Sequence, residues 1–184
     1  MGKLRFATAR DVFEAFPTLA DDMLASPSER EPLAFLAELA AGPTPEDAVS
    51  FCAYVLPRRD AVWWACRCTR SLTRPQEPVE DQALAAAEAW VREPNEESRT
   101  AAMSVGNAAN RTVPTTWAAL AAAWSGGNLS LGEHPGAPAP PHLTAKAARA
   151  CVLMALARVP ATERRAKLRA CIEGGIRLAA AEAT

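Results

Sequence analysis

No uninterrupted apolar run in this chain approaches the length that carries a helix across a bilayer, so membrane insertion is not expected. Histidine is nearly absent, with only His134 and His142 in 184 residues, and aromatic side chains make up 6% of the chain. Motifs that cradle phosphate or build a hydrolytic centre are missing: there is no GxGxxG, no GxxxxGKS/T, no HExxH and no GxSxG. The nearest acid–base set would use Asp60, Glu133, His134 and His142, and nothing in the sequence brings these together. No catalytic or cofactor-binding residue is therefore assigned. With a net charge of -1 and an isoelectric point near 6.2, the chain also lacks the positive field that phosphate backbones require, so nucleic acid is not an expected partner.

Cysteine is present but in an odd number, five, which argues against a disulfide framework. Cys66 and Cys68 lie about 200° apart around a helix and cannot face one ion. Cys52, Cys151 and Cys171 each sit in apolar helical surroundings, where a free thiol behaves as a small hydrophobe. No metal site is expected. The N-terminal MGKLRFATARDVFEAF places Asp11 and Glu14 inside its only apolar-looking stretch, unlike a secretory signal, and position 6 lacks the Ser or Thr of a myristoylation motif. The expectation is a soluble, cytoplasmic protein.

What is abundant is alanine. The hydrophobic fraction is 49%, much of it in phrases such as ALAAA (83–87) and AALAAAW (118–124). Alanine favours helix and lets helix axes approach closely, but buries little area, so the few large side chains must supply much of the core. Helix signals follow one another along the chain. Thr8 caps a segment through Phe16, and a second short one runs Thr18–Leu24. Leu33, Leu36, Ala37 and Ala40 repeat at helical spacing up to Gly42-Pro43. Thr44-Pro-Glu-Asp47 reads as N-cap, N1 and N3 of a helix reaching Leu56. Further helices are predicted from Pro57 to about Leu72, from Glu80 or Asp81 to Pro94, from Asn95 to about Asn110, from Pro114 to Trp124, and over 143–159 and 162–181, the last interrupted or closely packed at Gly174-Gly175. No segment alternates like a half-buried strand. The fold class is all-α: a compact, multi-helix single domain, residues 1–184, with a long Gly/Pro-rich loop at 125–141.

Two features stand out as candidate sites. On a helix spanning 59–74, Arg59, Trp63, Arg67, Arg70 and Arg74 fall in an arc roughly 80° wide, while Trp64, Cys66, Cys68 and the apolar residues take the other side. Trp and Arg are enriched in binding hot spots, and guanidinium stacks on indole. The competing reading is an ordinary packed stripe whose arginine heads reach water or the acidic segment 11–56. That segment holds nine acidic side chains against Arg30, and residues 142–184 hold eight basic against three acidic, an asymmetry that can steer a partner or pair the chain's own ends. The second feature is SGGNLSLGEHPGAPAPP (125–141), an uncommonly long connection that reads as a functional loop, a flexible linker or an ordinary connector spanning two helix ends. Trp124 precedes it, glycines open it, and prolines favour an extended, low-entropy close. Its candidate binding residues are Trp124, Asn128, His134, Pro140 and His142.

The phrases LPRRDAVWWACRC (56–68), AWVREPNEESRTAA (89–102), WSGGNLS (124–130) and PPHLTAKA (140–147) resemble a family of uncharacterised all-helical bacterial proteins. Members occur in the neighbourhoods of type VI secretion genes, near spike and effector components. The resemblance implies an adaptor or chaperone-like accessory of effector loading, with a spike or effector component as protein partner, and brings no established binding residues. The alternatives from the residues themselves are a small-molecule enzyme or ligand binder using His134, His142 and the tryptophans, and a helical-repeat scaffold.

Overall fold

The structure, a computed structural model, describes residues 5–73, 78–129 and 136–182. Among these the secondary structure is helical throughout, apart from a single isolated bridge, so the all-α class is borne out. The helices are α1 (Ala9–Ala15), α2 (Pro32–Ala41), α3 (Glu46–Val55), α4 (Arg58–Leu72), α5 (Pro78–Arg92), α6 (Glu96–Ala108), α7 (Pro114–Ala123), α8 (Leu143–Ala157) and α9 (Ala161–Glu182). Contacts gather them into two compact units: unit 1 is Met1–Pro57 with Pro160–Thr184, and unit 2 is Arg58–Val159. Aromatic chemistry divides along the same line. All five phenylalanines and the one tyrosine belong to unit 1, and all five tryptophans to unit 2.

In unit 1, Thr8 and Asp11 form a reciprocal capping box on α1, as their spacing predicts. The next segment winds as a 3-10 turn over Pro17–Asp21 instead of a helix to Leu24. α3 departs from expectation at its start. Pro45 flanks the helix without a side-chain cap, and at its own N-terminus Asp47 accepts only a long bond from the Thr44 hydroxyl, 3.5 Å. Its buried carboxylate instead accepts the backbone N–H groups of Leu24 (3.0 Å) and Ala25 (2.9 Å), fixing a loop that would otherwise leave donors unmet. Phe51 of α3 packs edge-on to Phe35 of α2 at 5.0 Å and tilted against Phe13 of α1 at 6.4 Å. α9 lies against α2 and α3 and runs without a break through Gly174 and Gly175. Gly174 is not a close-packing point: a Cβ there would find its nearest neighbour, Arg177, 3.9 Å away.

Unit 2 is built around α7, which packs against α4, α5, α6 and α8. Ala118 to Ala123 are fully buried, and their small side chains are what allow four neighbours to reach one helix. Gly106 of α6 marks the closest approach, since a Cβ there would stand 2.9 Å from Leu120. The large side chains that fill the remaining space are led by Trp64, 1% exposed, with Leu84, Met103 and Leu120. Asn95 caps α6 through a box with Ser98.

All five cysteines are free and buried. Burial pushes the Cys151 thiol up to about 12, opposed by Thr69 Oγ1, 3.1 Å from its sulfur. Burial drives Cys52 and Cys66 upward as well. A raised pKa keeps these thiols neutral and unreactive at neutral pH. An aromatic disulfide reagent at pH 8 is therefore expected to leave the folded protein unmodified while releasing five equivalents in denaturant. One fast equivalent from the native protein would contradict this.

Candidate protein-interaction site

The two features read from the sequence resolve differently. On α4, Trp64 points inward and Trp63 is half-buried beside Arg67, whose guanidinium lies 5.5 Å from the indole centroid. Two other arginines of the stripe are bonded to α5. Arg59 Nε donates to the Val91 carbonyl at 2.7 Å, neutralising an orphan acceptor near the helix end. Arg70 forks onto Glu88 at 2.5 and 2.8 Å, with Asp81 at 3.6 Å. The acidic partners of Arg70 thus come from the neighbouring helix and not from residues 11–56. Arg74 and His134 lie outside the described residues.

The loop that follows α7 is closed at its base. Leu129 N–H donates to the Ala137 carbonyl and Ala139 N–H to the Gly127 carbonyl, both at 2.9 Å, with Asn128 and Pro138 forming an antiparallel bridge. Arg99, in the first turns of α6, holds this base from beneath. Its Nη1 donates to the Ala123 carbonyl (2.9 Å) and more distantly to that of Asn128 (3.5 Å). Its Nε and Nη2 are forked onto Glu96 at 2.7 and 2.5 Å. Only 7% of the Arg99 side chain is exposed, whereas Glu96 is 71% exposed. The side-chain bond from Arg99 holds the Glu96 carboxyl below its ordinary range, so this pair contributes at neutral pH and is lost as pH falls through that lowered value.

Gly127 lies directly against the latch. Its φ is +62°, and a Cβ there would fall 2.8 Å from Arg99 Cζ, so conformation and space both require glycine. A second arginine, Arg58 at the start of α4, donates Nη1 to the Ser125 carbonyl at 2.5 Å. Three of the quoted phrases therefore meet at one place, through Arg58, Arg99 and the Ser125–Asn128 backbone.

Beside this base lies a pair of indoles. Trp117 and Trp124 meet edge-on at 6.3 Å, with Arg111 5.7 Å over Trp117 and the Trp117 Nε1–H bonded to the Arg111 carbonyl at 2.9 Å. Both indoles are half-buried. Asn128 is exposed, while Pro140 and His142 are half-buried and lead into α8 through carbonyl bonds to Leu143 (3.1 Å) and Lys146 (3.0 Å).

Sequence reasoning passed over Arg58, Arg99, Arg111 and Trp117 as site residues, whereas the expectation that a glycine of Gly126-Gly127 takes a backbone angle costly for other residues is met at Gly127. One signal was available for Arg99: a cation in the first turns of a helix opposes the macrodipole and calls for a partner elsewhere. Among the described residues, no group of three or more His, Cys, Asp or Glu side chains is placed to hold a metal ion, and no helix is long and apolar enough to cross a membrane.

Architecture and site together define an all-α protein carrying a loop latched by buried arginine, a class set by its fold and not by a reaction. The chain belongs to a family of unknown function, DUF6931, whose model matches residues 35–179. That span includes all of unit 2 and, from unit 1, α3 with most of α2 and α9. No similar curated protein and no similar solved structure was found.

Proposed function

We propose that this protein is a non-catalytic protein-interaction module, an adaptor or chaperone-like accessory in the loading of type VI secretion effectors. The secretion setting rests on the sequence resemblance alone. The observation that carries the interaction reading is the fixed backbone of Ser125–Asn128 beside the half-buried Trp117–Trp124 pair. Two arginines order the loop base before any partner arrives, which lowers the entropy lost on binding. Half-buried indoles are among the side chains that dominate interface energetics.

The test is affinity capture from the native cell with wild type, Trp124→Ala, and a variant whose residues 129–137 are replaced by a shorter flexible segment. Both variants are expected to keep the helical circular dichroism of wild type and to lose a secretion spike or effector component that wild type retains. Equal retention by all three removes the loop from the interface. Failure of wild type to retain any such component overturns the secretion role.

A further inference from the structure

Unit 1 contains an open groove of about 900 Å³ between α2 and α9, in a part of the fold unrelated to the loop. One wall is Ala37, Ala40 and Ala41, which share a face of α2 at i, i+3 and i+4. Leu168, Ile172 and Ile176 form a stripe at i, i+4 and i+8 on α9, with Leu168 and Ile172 buried at the floor and Ile176 half-buried above them. Along its edge stand Arg164, Arg165 and Arg169, all exposed. Glu46 and Glu173 also line it, leaving one excess positive charge from three arginines and two glutamates. Arg165 and Arg169 are four residues apart on one helix, a like-charge pairing that weakens a helix, and Glu173 stands four residues beyond Arg169. The exposed heads of Arg165 and Arg169 would gain from an acidic ligand.

We propose that this groove binds an amphipathic α-helix of a partner protein, apolar on one face and carboxylate-rich along the flank that meets Arg165 and Arg169. The shape selects a helix. Two helices with small residues on one wall and aliphatic ridges on the other leave the seat of a third, whose anchors at i, i+3, i+4 and i+7 would enter the trough. The charge selects its flank, because arginine forks onto carboxylates with two parallel bonds. A phosphate backbone would meet the arginines but leave the aliphatic residues of the groove uncovered. The proposal takes the interaction reading as its premise but uses neither the loop nor its tryptophans, so the two can fail separately.

The probe is a fluorescently labelled synthetic peptide of about 18 residues, roughly five helical turns, with leucines on one face and glutamates on its flanks. A second peptide carries lysines in place of the glutamates. Anisotropy should show binding of the glutamate peptide to wild-type protein and weaker binding of the lysine peptide. The charge reversal Arg165→Glu with Arg169→Glu should weaken the glutamate peptide at least about tenfold and improve the lysine peptide, reversing the preference. Ala37→Trp should fill the trough and weaken both peptides. Circular dichroism confirms that each variant is folded. The proposal is overturned if wild type does not bind the glutamate peptide or does not prefer it to the lysine peptide. It is likewise overturned if the reversal leaves the preference intact, or if wild type binds anionic vesicles or duplex DNA in place of the peptide.

Discussion

Replacing Trp64 by alanine is expected to destabilise the protein by about 3–5 kcal/mol, the range for removing a large aromatic from a closed core. Trp64 is the largest of the fully buried side chains, 1% exposed, in a unit whose central helix contributes mostly alanine. Alanine supplies contact but little area, so the neighbours of Trp64 have few side chains able to move into the space it leaves. Trp63→Ala, one residue earlier and half-buried, is expected to cost clearly less. Urea unfolding followed by tryptophan fluorescence isolates the effect, since all five tryptophans lie in unit 2. Equal losses for the two variants would mean that the inner and outer faces of α4 are wrongly assigned.

The second large effect is a coupling. Gly127→Ala is expected to cost about 1–2 kcal/mol for a left-handed conformation at a residue with a Cβ. A further penalty arises because that Cβ would lie 2.8 Å from the guanidinium of Arg99. A long side chain usually yields to such a collision, but this one is held by Glu96 and the Ala123 carbonyl. Arg99→Met is expected to cost about 1–3 kcal/mol, mainly by leaving buried carbonyl oxygen without its donor. Glu96 adds little to that loss, because its exposed carboxylate returns to water. Combined, the two substitutions should destabilise by at least about 1 kcal/mol less than their sum, since methionine removes the group that the new methyl strikes. Strict additivity in a double-mutant cycle would show that Arg99 does not press on Gly127.

Much of the helical plan was legible because its signals are local. Thr8 with Asp11, Asn95 with Ser98, and Pro114 each act within one turn, and all three start helices where the spacing says they should. Thr44-Pro-Glu-Asp47 marked the start of α3 but not the partners of Asp47, for a physical reason. The same carboxylate that can cap its own helix can serve another segment, and the Leu24–Ala25 backbone offers two donors where α3 would offer one. On α4 the helical periodicity placed Trp64 inside, where it is buried, and Trp63 away from it, where it is half-buried. That Arg59 and Arg70 would be occupied by α5 was invisible, since helical periodicity gives the direction of a side chain and not what stands there.

By itself, then, the sequence determined the all-helical class, most helix starts, the inward side of α4 and the burial of cysteines in apolar surroundings, all consequences of propensity and periodicity within a few residues. Tertiary structure alone decided which distant segments share a unit. It joined the acidic N-terminal helices to the basic α9 across more than a hundred intervening residues and set the groove between α2 and α9. It also brought Arg99 beneath Gly127, because a buried guanidinium finds its acceptors at a helix end and a loop whose positions depend on how α6 packs against α7.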